Sequence, residues 1–263
     1  MDKKVTICDH TFLDHTKSAS IGGDNIGVGP KDFEWEYADA QTARFVTDGE
    51  IKNARGKGQV AWLLEPYLLH PENYKIAYER RNEFDAILAH SCPNIQMLNI
   101  SKWYPFGGSW IDFEKFGMYK KSKMVSILLS EKNTMPGHKL RHEVVERFGD
   151  KIDVFMGIEN KIDALKDYRF SIVIESMKSP FYFTEKLMDC LCVGTLPIYY
   201  GSGMPYFDGM NIDSIEDIEK ILNYIREYHY DCSNFVSKFN SNIVRKFAVC
   251  EDNIYRMYPE LFE

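Results

Sequence analysis

The chain has 263 residues, of which 44% are hydrophobic and 27% charged, and its formal net charge is −7. This composition is ordinary for a globular protein, and the negative charge argues against a general binder of nucleic acid or anionic membranes, because such binding draws on a broad basic surface. No apolar run approaches the ~18 residues of a membrane span, and none follows the charged N-terminus as in a signal peptide. We therefore expect a soluble, cytoplasmic protein.

The first part of the chain alternates loop-rich stretches with short apolar runs that fit buried strands. Strand candidates lie around Val5, at Gln59–Leu64 and at Ala86–His90. The glycine-rich stretch at 21–30 lacks the lysine of a P-loop and the spacing of a dinucleotide fingerprint, so it predicts a loop. We interpret residues 1–118 as a smaller α/β domain.

From about Lys123 onward, strand candidates and helical segments alternate. The strand candidates are Met124–Ser130, Ile152–Gly157, Phe170–Ser176 and Thr195–Gly201. One helical segment ends at the glycine after Phe148, and another begins behind a Ser214 cap. This alternation predicts a doubly wound parallel sheet over residues 119–245, with residues 246–263 as a helical segment that closes the structure.

A threonine, a glutamate and a lysine open the apolar helix predicted after residue 183. Thr184 is predicted as the N-cap, which places Glu185 and Lys186 in the first turn. The helix dipole favours a glutamate there and disfavours a lysine. A phosphate bound by Lys186 and the helix N-terminus would explain the lysine, whereas pairing with Glu185 or extension into water is the alternative. Glu175 ends the preceding strand, at the edge where doubly wound sheets bind ligands.

At these residues the sequence resembles the family 10 glycosyltransferases, the α1,3/α1,4-fucosyltransferases. The stretch reads DYRFSIVIESMKSPFYFTEKLMDCLCVGTLPIYYG, and it keeps the ten-residue gap between the two glutamates of the family motif. The matching positions are Tyr168, Phe170, Glu175, Tyr182, Thr184, Glu185, Lys186, Gly194, Thr195, Pro197, Ile198 and Gly201. The chain departs from the family at Ser176, where an asparagine is expected at the donor site, so the donor sugar stays open.

The resemblance implies an α/β fold of GT-B type, with two Rossmann-like domains facing a central cleft, and a nucleotide-sugar donor bound by the second domain. A weaker match, a strand ending at Ser130 followed by Asn133 and Arg141, implies that Arg141 binds the donor diphosphate alongside Lys186. A guanidinium can donate hydrogen bonds to two phosphate oxygens at once, whereas an ammonium supplies a point charge. Glu185, which diphosphate would repel, is expected to face ribose hydroxyls, and Tyr182 to pack beside the nucleotide.

The family places its base, a glutamate, at the end of a strand in the first domain. Glu65, which follows the strand candidate Gln59–Leu64 and precedes Pro66, is the corresponding candidate, and Glu72 is the runner-up. The expected reaction is inverting transfer of fucose from GDP-fucose to a hydroxyl of a glycan acceptor, with Glu65 as general base.

No cofactor beyond the nucleotide sugar is implied. The chain contains no Asp-x-Asp triplet, with which many sugar transferases hold a divalent cation, so a metal is possible but not implied. The six cysteines are scattered, which favours reduced core thiols over a disulfide framework or a zinc site. Two alternatives stay open: the same mechanism with another nucleotide sugar, and a nucleotide-sugar-binding module without catalysis. The oligomeric state is left open.

Overall fold

The computed structural model of the chain describes residues 3–9, 29–104, 107–157, 161–179, 182–202, 207, 209–228 and 241–263. The chain divides into two compact units, Met1–Trp110 with Lys246–Glu263 and Ile111–Arg245. The first boundary falls slightly earlier in the chain than the one expected after residue 118, and the segment 246–263 groups with the first unit. Positions 21–28 of the predicted glycine-rich loop, and Cys232, lie outside the described residues.

The described residues of the first unit form a sheet of six parallel strands. They are β1 (Lys3–Cys8), β2 (Phe33–Tyr37), β3 (Phe45–Thr47), β4 (Val60–Leu63), β5 (Ala86–Ala89) and β6 (Ser101–Lys102), arranged in the order β2-β1-β3-β4-β5-β6. Every residue of β3, β4 and β5 is buried, which explains why β4 and β5 read as continuous apolar runs. Helix α1 (Pro71–Glu79) begins at a proline and packs Tyr74 and Ala77 into the core, and the short α2 (Pro93–Gln96) follows β5.

In the second unit, the part of the chain that the structure describes forms a sheet of five parallel strands. They are β7 (Lys123–Leu129), β8 (Asp153–Met156), β9 (Tyr168–Ile174), β10 (Leu196–Tyr200) and β11 (Met210–Asn211), in the order β11-β10-β9-β7-β8. Helices α3 (Pro136–Phe148), α4 (Glu185–Cys192) and α5 (Ile215–Tyr228) follow β7, β9 and β11. Strands β7 and β9 are neighbours in this sheet; the strand that follows β7 in the chain, β8, lies on one side of the pair, and the strand that follows β9, β10, lies on the other. The crevice at the carboxyl ends of β7 and β9 is therefore the expected ligand site.

Near the C-terminus, helices α6 (Ser241–Phe247) and α7 (Cys250–Met257) are followed by a 3-10 turn at Pro259–Phe262. Further 3-10 turns lie at Asp48–Asn53, Phe113–Lys115 and Lys161–Ala164. Across the described ranges, no helix combines the length and apolar character that crossing a bilayer requires.

The predicted strand and helix segments are confirmed, and so is the α/β class with its two parallel sheets. Four strands were missed, and two of them, β6 and β11, are only two residues long. Strand β3 is three residues long, and β2 alternates Phe33 and Trp35 with glutamates at the edge of its sheet, so neither forms a continuous apolar run.

Candidate functional site

The segment between β9 and α4 is organised around Glu175, which is fully buried at the end of β9. One carboxylate oxygen accepts the backbone N–H of Thr184 at 2.9 Å, and the other accepts the Thr184 hydroxyl at 2.7 Å. Burial raises the pKa of Glu175, and Lys186 opposes that rise. Because the carboxylate is occupied by Thr184, Glu175 holds the helix start in place.

Thr184 is the N-cap of α4, as predicted. Its hydroxyl accepts the backbone N–H of Lys186 at 3.3 Å, so Glu185 and Lys186 occupy the first turn. The same hydroxyl donates to Glu175 and so links the end of β9 to the start of α4.

The Lys186 ammonium lies between two carboxylates, 3.2 Å from Glu185 Oε1 and 3.7 Å from Glu175 Oε2, with 28% of the side chain exposed. Burial works to lower the pKa of Lys186, but Glu185 and Glu175 outweigh it and the pKa lies above its usual value. The pairing with Glu185 that the sequence left open as an alternative is therefore present. Part of the Lys186 side chain therefore remains accessible.

Lys161 is a member of this cluster that the sequence analysis missed. Its ammonium lies 3.0 Å from Asp189 and 3.6 Å from Glu185, two acidic residues one turn apart on α4. Burial would raise the pKa of Glu185, yet Lys186 and then Lys161 lower it to about 2. Glu185 is therefore ionised at neutral pH. The i, i+4 spacing of Glu185 and Asp189 in the sequence indicates that a cation lies near them, but it does not indicate which lysine elsewhere in the chain supplies it.

Arg141 projects from α3, the helix that follows β7, and is 8% exposed. Its Nε is buried without a hydrogen-bond partner, and its guanidinium makes no hydrogen bond or ion pair to any residue within the described ranges. Burial lowers the pKa of Arg141, and Glu175 and Glu185 act against that shift, which places both carboxylates within electrostatic range.

Gly137 sets the approach of α3 to the end of β9. Its N–H donates to the Ser176 carbonyl at 2.9 Å, and a Cβ at this position would lie 1.7 Å from the Glu175 carbonyl oxygen. No residue other than glycine fits this contact without a shift of the backbone. Gly137 thereby brings the helix of Arg141 against the segment that carries Glu175.

His138, one turn before Arg141 on α3, was also missed. It is 6% exposed, and its Nδ1 accepts the backbone N–H of Met135 at 3.2 Å, so the neutral ring carries its proton on Nε2. Burial, followed by Arg141, Lys132 and Lys186, lowers the pKa of His138 to about 4. The ring is a neutral hydrogen-bond donor in a cationic surrounding.

The remaining predicted donor residues are placed differently. Tyr182 is 4% exposed, and its backbone carbonyl accepts the Ser202 hydroxyl at 2.8 Å. Ser176 is half-buried, with its carbonyl bound to Gly137, and Asn133 is exposed in the loop before α3. The structure thus brings Arg141, Glu175, Glu185 and Lys186 together but shows no contact of Asn133 with them.

In the first unit, Glu65 is exposed directly after β4 on a backbone held by buried side chains. Tyr104 donates to the Leu63 carbonyl at 2.9 Å, His90 Nε2 to the Leu64 carbonyl at 2.7 Å, and Tyr74 to the Glu65 carbonyl at 2.7 Å. Burial lowers the pKa of His90 to about 4, so the ring stays neutral.

Asp48 also holds the backbone of residues 64 and 65 in place. Its carboxylate accepts the backbone N–H of Leu64 at 3.1 Å and that of Glu65 at 3.4 Å, and its φ of 37° lies in the left-handed region. Burial and then the nearby Glu65 raise the pKa of Asp48 well above its usual value. The runner-up Glu72 lies exposed on α1, 3.8 Å from Lys75, with no comparable support.

Across the residues described, no group of three or more His, Cys, Asp and Glu side chains is positioned to hold a metal ion. The cysteines within the same ranges, Cys8, Cys92, Cys190, Cys192 and Cys250, are free thiols.

The two parallel-sheet units agree with the fold of solved glycosyltransferase structures. A crystal structure of an α1,3-fucosyltransferase with GDP matches with a TM-score of 0.55 at 12% identity, covering 100% of this chain and 91% of that one. Another, with GDP-fucose, matches with a TM-score of 0.50 at 13% identity, covering 92% and 82%. These likenesses confirm the predicted GT-B fold class.

Two curated proteins are similar in sequence. A fucosyltransferase-like protein of Arabidopsis thaliana is 25% identical over 225 residues, covering 76% of this chain and 42% of that protein. The α-(1,3)-fucosyltransferase FucT of Helicobacter pylori is 29% identical over 77 residues, covering 27% and 16%. The chain thus spans less than half the length of these relatives. No family model matches it.

Proposed function

We propose that the protein is an inverting glycosyltransferase that moves fucose from GDP-fucose to a hydroxyl of a glycan. The observation that carries the proposal is Arg141, a buried guanidinium that no described residue pairs, beside the N-terminus of α4. A buried cation is costly unless an anion compensates it. A diphosphate would supply that anion, and the fucosyltransferase relatives favour GDP as its carrier.

Breaking the bond between the sugar and the diphosphate leaves negative charge on the departing oxygens. Arg141 and Lys186 are the side chains that would stabilise this charge, together with the backbone N–H groups that open α4. The Nε2–H of His138 is a further neutral donor on the same face of α3 as Arg141. Removing one such donor typically costs about a hundredfold in rate or more.

Glu185 is assigned to the ribose. Its carboxylate is ionised, because its pKa is about 2, and it would repel the diphosphate. Ribose has two neighbouring hydroxyl groups, and one carboxylate can accept a hydrogen bond from each of them. Lys161 supports this role because its ammonium, 3.6 Å from Glu185 Oε1, helps to fix the position of that carboxylate.

Glu65 is assigned as the general base. It would accept the proton of the acceptor hydroxyl as that oxygen bonds to the sugar carbon on the face opposite the diphosphate, which inverts the configuration. The five hydrogen bonds that hold the backbone of residues 63–65 support this role, since a catalytic carboxylate needs a fixed position.

The donor assignment is tested by calorimetric binding of GDP, UDP and their fucose, mannose and glucose conjugates. We expect GDP and GDP-fucose to bind, and Lys186→Ala to weaken both by at least about tenfold, which is ~1.4 kcal/mol. Lys220, exposed on α5 and paired with Asp217, offers the matched control Lys220→Ala, which leaves binding unchanged.

A preference for UDP compounds would transfer the proposal to another nucleotide sugar. This is the alternative that Ser176 keeps open, because an asparagine is expected there. Absence of binding by every nucleotide in the panel would contradict the donor site itself.

A further inference from the structure

A cavity of about 560 Å³ opens in the first unit where β4 and β5 end, bordered by α1 and α2. Its walls include the rings of Tyr67, Tyr74 and Tyr78 together with Glu72, Asn94 and Cys92. This size lies within the range of about 300–1,000 Å³ that is usual for small-molecule sites.

The cavity presents polar groups that the protein does not use. The phenols of Tyr67 and Tyr78 and the amide of Asn94 have no hydrogen-bond partner among the described residues, and the two tyrosines are 40% and 41% exposed. Tyr67 is held edge-on against Tyr74, with ring centroids 5.5 Å apart, which fixes its orientation. Aromatic faces with adjacent hydrogen-bonding groups suit a ligand that is apolar on one face and polar at its edges.

A chain of hydrogen bonds ties this cavity to the candidate base. The Tyr67 N–H donates to the Ser91 hydroxyl at 3.2 Å, and that hydroxyl lies 2.9 Å from the Tyr74 phenol, which donates to the Glu65 carbonyl at 2.7 Å. Because Tyr74 has one proton and gives it to Glu65, the Ser91 hydroxyl donates to Tyr74. The direction of every bond in the chain is therefore determined.

The charges at the rim balance each other. Glu72 and Lys75 are 3.8 Å apart, and both are more than half exposed. A neutral ligand therefore suits the cavity better than an anionic one, and the free amide and phenols suit hydroxyl groups.

We propose that this cavity binds a neutral mono- or disaccharide unit, the end of the acceptor glycan. The link to the reaction depends on the function proposed above, but sugar binding itself does not. A ring of the sugar would pack on Tyr67, with its hydroxyl groups reaching Asn94 and the phenols.

The experiment uses saturation-transfer NMR with a panel of neutral sugars: methyl galactoside, lactose, N-acetyllactosamine and cellobiose. At least one is expected to bind the wild type, Tyr67→Ala to weaken it by about three- to tenfold through loss of the ring, and Tyr67→Phe to weaken it less. Tyr37→Ala is the matched control, because Tyr37 is a 48% exposed tyrosine of the same unit that does not border the cavity. Both tyrosines are exposed enough for substitution without loss of the fold.

Cys92 gives a second readout. It is half-buried in the cavity, while Cys8 and Cys250 of the same unit are buried. We expect the bound sugar to slow the alkylation of Cys92 by iodoacetamide. Peptide mass spectrometry measures the rate of this alkylation.

Calorimetric titration of GDP into the same variants separates this proposal from the proposed function. Retained GDP binding with no sugar signal, or with equal signals for wild type and Tyr67→Ala, overturns the sugar site and leaves the donor site standing. Sugar binding that depends on Tyr67, without binding of GDP, supports the cavity and contradicts the donor site.

Discussion

At the scale of single residues, Arg141 and Lys186 differ in how the protein compensates their charge. Lys186 has two carboxylates within 4 Å, and the pKa of Lys186 rises as a result. Arg141 has none among the described residues, and burial lowers its pKa although Glu175 and Glu185 act against that shift. A buried charge without an ion-pair partner reduces stability, so Arg141 is a residue whose presence a ligand explains better than the fold does.

Replacement of Arg141 by methionine is expected to increase the free energy of unfolding by about 1–3 kcal/mol, because an apolar side chain of similar length removes the buried charge. The same variant should lose GDP binding by at least about tenfold. Urea denaturation and calorimetry measure the two effects.

Arg147→Met on the same helix is the control for Arg141→Met, since Arg147 is 42% exposed and paired with Glu219 at 2.7 Å. It should leave both quantities nearly unchanged. A loss of stability in Arg141→Met would mean that Arg141 supports the fold, and would remove the main argument for the donor site.

The pKa of Glu185, about 2, predicts an acid dependence of stability. A carboxyl group whose pKa is lower in the folded state stabilises the fold above its unfolded pKa, and this contribution disappears as the pH falls through the folded pKa. The difference in unfolding free energy between wild type and Glu185→Gln should thus be constant above pH ~5, at most ~3 kcal/mol, and shrink between pH ~4.5 and ~2.

Urea unfolding of both proteins from pH 3 to 7 measures this difference, and the subtraction removes contributions shared by the two, including that of Asp48. A difference independent of pH would show that Lys161 and Lys186 do not stabilise the Glu185 carboxylate.

At the scale of elements, the proposed donor site depends on how two helices begin. Helix α4 begins where the Glu175 carboxylate orients Thr184, and α3 begins where Gly137 lies against the carbonyls of residues 175 and 176. Because both contacts involve the end of β9, a shift of either helix start would separate Arg141 from Lys186.

Gly137→Ala tests this dependence. Its Cβ would lie 1.7 Å from a backbone oxygen that cannot rotate away, so we expect a loss of about 3 kcal/mol or more in stability together with weaker GDP binding. Gly117→Ala is the control, because a Cβ there meets no atom within 4 Å. Normal thermal stability and GDP affinity in Gly137→Ala would show that α3 moves without consequence for the site.

At the scale of the whole molecule, the sequence was sufficient where the signals are local. Continuous apolar runs located β4, β5 and the strands β7 to β10, and the Thr184 cap located the start of α4. The partners that complete the sites are distant in sequence, as Lys161 is from Glu185 and Asp48 from Glu65. Their pairing is set by strand order, which no local pattern encodes.

The last prediction concerns the proposed site residues that lie in different units. Glu65 belongs to the first unit, whereas Arg141, Glu185 and Lys186 belong to the second, so the proposed base and the proposed donor site are carried by separate units. Glu65→Gln keeps the size of the side chain and the backbone hydrogen bonds of residues 63–65 while it removes the basic carboxylate. GDP-fucose affinity should stay within about twofold, while kcat falls by about 10² to 10⁴.

The matched variant Glu72→Gln alters the other candidate base, which is exposed on α1 and also borders the cavity, so the two variants are compared at saturating acceptor, where Glu72→Gln should retain kcat. Single-turnover transfer from GDP-fucose to the sugar that binds the cavity best, with donor affinity from calorimetry, measures both variants. Equal turnover in wild type and Glu65→Gln would favour a binding module or a base elsewhere in the chain. Loss of turnover in Glu72→Gln alone would move the base from the segment after β4 to the first turn of α1.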